Sequence, residues 1–204
     1  MSQFKTIKTI IETELKEKGS LFIAKAAPVK DAAEAEEYIK LMKRDYYNAT
    51  HHCSAYRIFP GDEKYSDDGE PSGTAGIRIL NAIDHFDLFN LVLVVIRNFG
   101  GTKLGVGLLG KTYYKSAFSA LEISKSIIVK EYVEGKIIHN FEETSIAHKL
   151  LNDYNASIIL NSFEEKPAII FHIESDKTEN FKKEFLGLNP EKIKLELKTN
   201  LLYL

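Results

Sequence analysis

The chain has 204 residues, enough to bury a sound core in one large or two small domains. Hydrophobic residues at 44% and charged residues at 27% exclude a disordered chain, and a net charge of −2 excludes global attraction to nucleic acid or anionic membrane, so such a partner must meet a local patch. Cys53 is the single cysteine, which excludes an internal disulfide and fits a reducing cytoplasm. The first residues carry no secretory-signal pattern, and the longest apolar run falls far short of a membrane span, so a cytoplasmic, membrane-free protein is expected.

Taken in order, Phe4 to Glu12 reads as a strand, Lys16 to Ser20 as a polar turn around Gly19, and Leu21 to Val29 as a returning strand. Ala35, Ile39, Met42 and Tyr46 recur at helical spacing after Asp31, a helix-starting residue. His51 to Phe59 alternates as a strand, putting His51 and Cys53 on one face and His52, Ser54 and Tyr56 on the other. Two such ligands do not make a metal site, and no metal is expected there. Asp62 to Glu70 reads as an acidic loop in which Asp67, Asp68 and Glu70 have two open roles. They can hold a divalent cation, with His51 assisting, or start the next helix. That helix runs through Ile77, Leu80 and Ile83, with Ser72, Gly73 and Thr74 placed to cap it or to meet a phosphate.

Leu91 to Ile96 is an unbroken apolar run, the pattern of a strand buried on both faces. It opens into Gly100, Gly101, Gly105, Gly107 and Gly110, and then a helix begins near Val106. Between Asp87 and Glu122 no acidic residue occurs, while Arg97, Lys103, Lys111 and Lys115 do. Glycines between a strand and a helix leave amides for an anion, so these four cations are expected to form one basic strip over them. The same segment carries a competing pattern. Gly105 to Thr112, GVGLLGKT, matches the nucleotide-binding P-loop, although Arg97 to Leu104 separate it from its strand. A P-loop nucleotidase, or a hydrolase using the acidic loop with His51, is therefore the alternative to a binding module.

From Ile127 to Glu134 the pattern changes. Gly135 to Phe141, Ala156 to Asn161, Pro167 to Glu174 and Lys192 to Lys198 read as strands, with helices at Thr144 to Tyr154 and Ser175 to Leu186. The order is β-α-β-β-α-β, a ferredoxin-like split βαβ arrangement. His139, His148 and His172 have no convergent partners in the sequence and read as structural.

Three blocks carry a family resemblance: ATHHCSAY from Ala49, SDDGEPSGTAG from Ser66, and IRNFGGTKLGVG from Ile96. Together they resemble the YigZ/IMPACT family, with Asn98, Leu108 and Arg78 departing from its usual aromatic, Gly and Pro. The resemblance implies an α+β protein. Its N-terminal domain, residues 1–130, would be of the left-handed β-α-β type found in ribosomal proteins and elongation factor G. Its C-terminal domain, residues 131–204, would be ferredoxin-like. Eukaryotic members restrain a stress-activated kinase through a separate domain not found among these residues, so kinase control is not carried over. What the resemblance implies is a translation-linked binding module without a cofactor, whose partner is RNA, the ribosome or a translation-related protein. Its matched residues are His51, Cys53, Asp67, Asp68, Gly69, Glu70, Ser72, Gly73, Thr74, Arg97, Gly100, Gly101, Lys103 and Gly105.

Overall fold

In the computed structural model, residues 3–163, 166–188 and 191–203 are described, and the chain divides into two units, Phe4–Ile128 and the residues from Val129 onward together with Gln3. The protein is of the α+β class. No helix among the described residues is long and apolar enough to cross a membrane.

The expected first strand is two. Phe4, Thr6 and Ile7 are buried, but Lys8, Thr9 and Ile10 are exposed and the alternation fails there. The chain bends, β1 (Gln3–Ile7) pairs with β7 (Ser126–His139), and β2 (Ile11–Glu17) starts a different sheet. β2 turns into β3 (Ser20–Pro28) through Lys18 and Gly19, both at positive φ, which gives the tight hairpin its required twist.

Asp31 accepts the Glu34 N–H at 2.9 Å and starts α1 (Ala32–Asp45), which leads to β4 (His51–Ile58). The first half of the acidic stretch, expected as loop, is an exposed edge strand, β5 (Asp62–Ser66), paired to β4. Its polar residues suit an edge, where no face has to be buried. α2 (Gly76–His85), β6 (Leu91–Asn98) and α3 (Val106–Glu122) follow.

The first sheet runs β2-β3-β6-β4-β5 with every neighbour antiparallel. β3 and β4 therefore run parallel on either side of β6 and are joined across it by α1. The central position of β6 explains its composition. Leu91, Leu93 and Val95 pack with Ile79, Ile83, Tyr113 and Ala117 of α2 and α3, while Val92, Val94 and Ile96 pack with Ala35 and Met42 of α1. Each such burial contributes about 2 kcal/mol, so both faces must be apolar until the strand reaches its end at Arg97.

In the second unit β7, α4 (Thr144–Asp153), β8 (Ser157–Phe163), β9 (Pro167–Glu174), α5 (Thr178–Phe185) and β10 (Ile193–Tyr203) succeed one another. The sheet order β10-β7-β9-β8, antiparallel throughout, is that of the split βαβ arrangement. β7 starts nine residues before the expected Gly135, and short 3-10 turns, Phe141–Glu143 and Ser175–Lys177, precede α4 and α5. Ile137, Leu151, Phe171 and Phe181 form its core.

Candidate functional site

Antiparallel pairing brings the three sequence blocks together. β4 starts, and β5 and β6 finish, at the same end of the first sheet, with His51 opposite Arg97 and Ser54 opposite Ser66. The loop after β5, the loop after β6 and the N-terminus of α3 share that end.

The acidic loop is spent on internal bonds. Asp67 Oδ1 accepts the N–H groups of Ala75 and Gly76, at 2.9 and 2.8 Å, and Oδ2 accepts that of Gly73 at 2.8 Å. This one carboxylate caps α2 from across the loop. The expected caps do not act: Ser72 is exposed, and the buried Thr74 hydroxyl donates to the Pro71 carbonyl. Asp68 accepts from Lys43 Nζ at 2.5 Å and from the His52 N–H at 2.7 Å, joining α1 to β4. Burial pushes the Asp68 carboxyl up, but the Lys43 ammonium and the His52 amide outweigh it and hold its pKa below the ordinary value. No group of three or more potential metal ligands occurs among the described residues.

Glu70 and Arg97 make a buried pair, 8% and 5% exposed, with Nη1 to Oε1 at 2.5 Å. The Tyr113 hydroxyl, from α3, donates to the same oxygen at 2.7 Å. Arg97 also lies beside the rings of Phe22 and Phe99, and its Nε is buried without a partner. The expected basic strip is therefore wrong at Arg97. That residue follows Leu93 and Val95 on the face covered by α2 and α3, so its guanidinium enters the interior and meets Glu70 there.

His51 Nδ1 lies 2.8 Å from the Asp68 carbonyl and donates its proton to it, which turns Nε2 toward Glu70 Oε2 at 3.8 Å. Cys53 Sγ lies 3.0 Å from the Asp67 carbonyl and 3.3 Å from the Tyr113 hydroxyl, with one S–H to share. Burial, opposed by the Tyr113 hydroxyl and reinforced by Glu70, Asp68 and Asp67, pushes the thiol pKa well above its usual value. Cys53 is thus an unreactive packing residue. The proposed hydrolase set has its carboxylates committed to capping, bridging and pairing.

Gly100 is structural as well. Its N–H donates to Ser20 Oγ at 3.1 Å, and a Cβ there would stand 2.0 Å from the Gly19 carbonyl carbon. The β6 loop and the β2–β3 turn touch backbone to backbone. Gly101 and Gly105 have positive φ with open space around them, and between them Thr102 and Lys103 are exposed while Leu104 anchors the loop in the core.

The P-loop alternative does not survive this geometry. Val106 to Leu109, which would have to wrap a phosphate, form the first turn of α3, and Lys111 and Thr112 lie within the helix. Thr112 is buried, 3% exposed, with its hydroxyl donating to the Leu108 carbonyl at 2.8 Å, so it is not presented to a nucleotide's magnesium.

The helix faces are as the spacing predicts: Leu109, Tyr113, Ala117 and Ala120 are buried, Lys111 and Lys115 exposed. Lys103, Lys111 and Lys115 form no ion pair among the described residues. Beside Lys111 a groove of about 490 Å³ runs between α2 and α3, lined also by Thr74, Arg78, Asn81, Val106, Gly107, Gly110 and Tyr114. Sequence reasoning missed Arg78 and Asn81 as surface groups. Their spacing of three on α2, out of step with buried Ile79, Leu80, Ala82 and Ile83, carried the signal. It also missed Tyr113 as the partner of Glu70, for which no local signal exists across 43 residues.

Residues 18–121 match the Impact N-terminal domain. Over 86% of its length the chain is 35% identical to the IMPACT family member YvyE of Bacillus subtilis, covering 82% of that protein. An IMPACT family member of Haemophilus influenzae is 28% identical, with 97% and 98% of the two chains covered. A crystal structure of a hypothetical protein superposes with a TM-score of 0.69 at 22% identity, over 96% of this chain and 97% of that one, a likeness of fold.

Proposed function

The chain belongs to the IMPACT family, and from that premise we propose that it is a cytoplasmic binding module of the translation apparatus. It docks RNA, free or in the ribosome, through Lys103 in the glycine loop and Lys111 and Lys115 on α3. One observation supports this above the rest. These three exposed cations have no acidic partner among the described residues, whereas Asp67, Asp68 and Glu70, which would repel phosphate, are tied up in the fold. Their counterions are then free to be released by a polyanion, and binding draws on that release. The translation link rests on the family alone.

The test is fluorescence anisotropy of a single-stranded oligoribonucleotide across a salt series. Three phosphates neutralised give a slope of log affinity on log salt of roughly −2. Changing Lys103, Lys111 and Lys115 together to Gln should weaken binding and flatten that slope while the melting curve stays unchanged. Unaltered affinity and slope in the triple variant would sink the proposal.

A further inference from the structure

The groove between α2 and α3 differs from the open lysine surface in being concave, and its volume of about 490 Å³ falls within the range of small-molecule sites, roughly 300–1,000 Å³. Two cations from different helices meet in it. Arg78 lies across α3 at Gly110, its Nε only 3.4 Å from where a Cβ would stand, and Lys111 is the next residue along that helix. Because Gly110 offers no side chain, the exposed Arg78 side chain can lie close against the α3 backbone on its way to solvent. Neither cation has an ion-pair partner among the described residues, since the carboxylates that follow on α2 and in its C-terminal turn, Asp84 and Asp87, face Arg57 instead. The groove is completed by groups suited to a sugar and a base: the Asn81 amide, the half-buried Tyr114 ring and exposed Val106.

We infer that this groove is a subsite for a phosphomonoester, the terminal phosphate of a nucleotide or of an RNA chain. The charge count selects that group. An internal phosphodiester carries one negative charge, whereas a terminal phosphate, with its second pKa near about 6, approaches two at neutral pH and matches Arg78 and Lys111 together. Arg78 supplies the planar fork that binds two phosphate oxygens at once, and Lys111 supplies the compact second charge. A pocket fixed by two packed helices also reads an end, while the loop and outer α3 face can follow a backbone. The inference rests on the docking reading above only for the RNA source of the phosphate.

The experiment compares one oligoribonucleotide in three forms, 5′-phosphorylated, 3′-phosphorylated and hydroxyl-ended, together with adenosine monophosphate, on the full chain. One phosphorylated form should bind roughly tenfold tighter than the hydroxyl-ended form, the worth of one charge-assisted contact. Arg78→Ala and Arg78→Gln should erase that ratio, leaving the hydroxyl-ended affinity and the melting curve as they are. Lys103→Gln with Lys115→Gln should weaken all three forms and preserve the ratio. Equal binding of the three forms, or a preference that survives loss of Arg78, overturns the inference and leaves RNA docking standing. Binding of the mononucleotide alone, sensitive to Arg78, supports the subsite with a free nucleotide as its source and overturns the docking reading. If nothing binds, both fall.

Discussion

Two charged regions meet at one end of the first sheet and behave in opposite ways. The loop of Asp67, Asp68 and Glu70 turns its charge inward, to the α2 amides, to Lys43 and to Arg97. Lys103, Lys111 and Lys115 turn theirs to solvent. In sequence Arg97 belongs with the lysines; in space it belongs with the carboxylates. The difference teaches that the sign of a charged residue is local information, whereas the place where its charge is compensated depends on strand register and on which face the preceding apolar residues have already assigned to the core.

The most forceful way to break this comparison is to remove Glu70. Glu70→Ala leaves Arg97 buried and uncompensated, and should cost about 3–5 kcal/mol in urea unfolding. Lys111→Gln on the exposed side should move stability by less than about 0.5 kcal/mol. Replacing the pair together, Glu70→Leu with Arg97→Met, should recover most of the loss, because an apolar pair of similar volume needs no charge compensation. An unfolding midpoint in Glu70→Ala equal to that of the unaltered protein would mean that the pair is not interior.

Much of the fold was legible because its signals are local. The run Leu91 to Ile96 announces a strand buried on both faces, and the six-element order after Ile127 announces a split βαβ unit. The edge strand β5 was not legible, because Asp62 to Ser66 is exposed at every position and an edge strand with no buried face carries no apolar alternation. At the site, the three blocks could be seen to matter, but not how. Asp67 caps a helix eight and nine residues later through its side chain, and Glu70 finds partners 27 and 43 residues away. No periodicity encodes either contact.

A second, smaller break tests the backbone contact that supports the loop. Gly100→Ala puts a methyl group against the Gly19 carbonyl, where only movement of one chain can make room. Overpacking of that kind should cost roughly 3 kcal/mol. Gly101→Ala meets no neighbouring atom, and its cost should come only from the positive φ, about 1 kcal/mol. Equal melting temperatures for the two variants would show that the β6 loop and the β2–β3 turn are not in contact.

The smallest effect sharpens the comparison by making it depend on pH. Asp68 is held below the ordinary carboxylate pKa in the folded chain by Lys43 and the His52 amide, against the opposing effect of burial. A carboxyl whose folded pKa is depressed contributes stability that is present above its unfolded pKa, near about 3.9, and is lost as pH falls through the folded value. Asp68→Asn keeps the shape but not the charge. The unaltered protein should therefore exceed Asp68→Asn by no more than about 1 kcal/mol at neutral pH, a partly exposed pair being screened. That margin should hold down to about pH 5 and close on further acidification. Salt should shrink it as well, since Lys43 is nearly half exposed. A margin that widens in acid, or that ignores pH, would show that the Asp68 charge does not stabilise the fold, and the inward-turned charge would then reduce to Glu70 and Asp67.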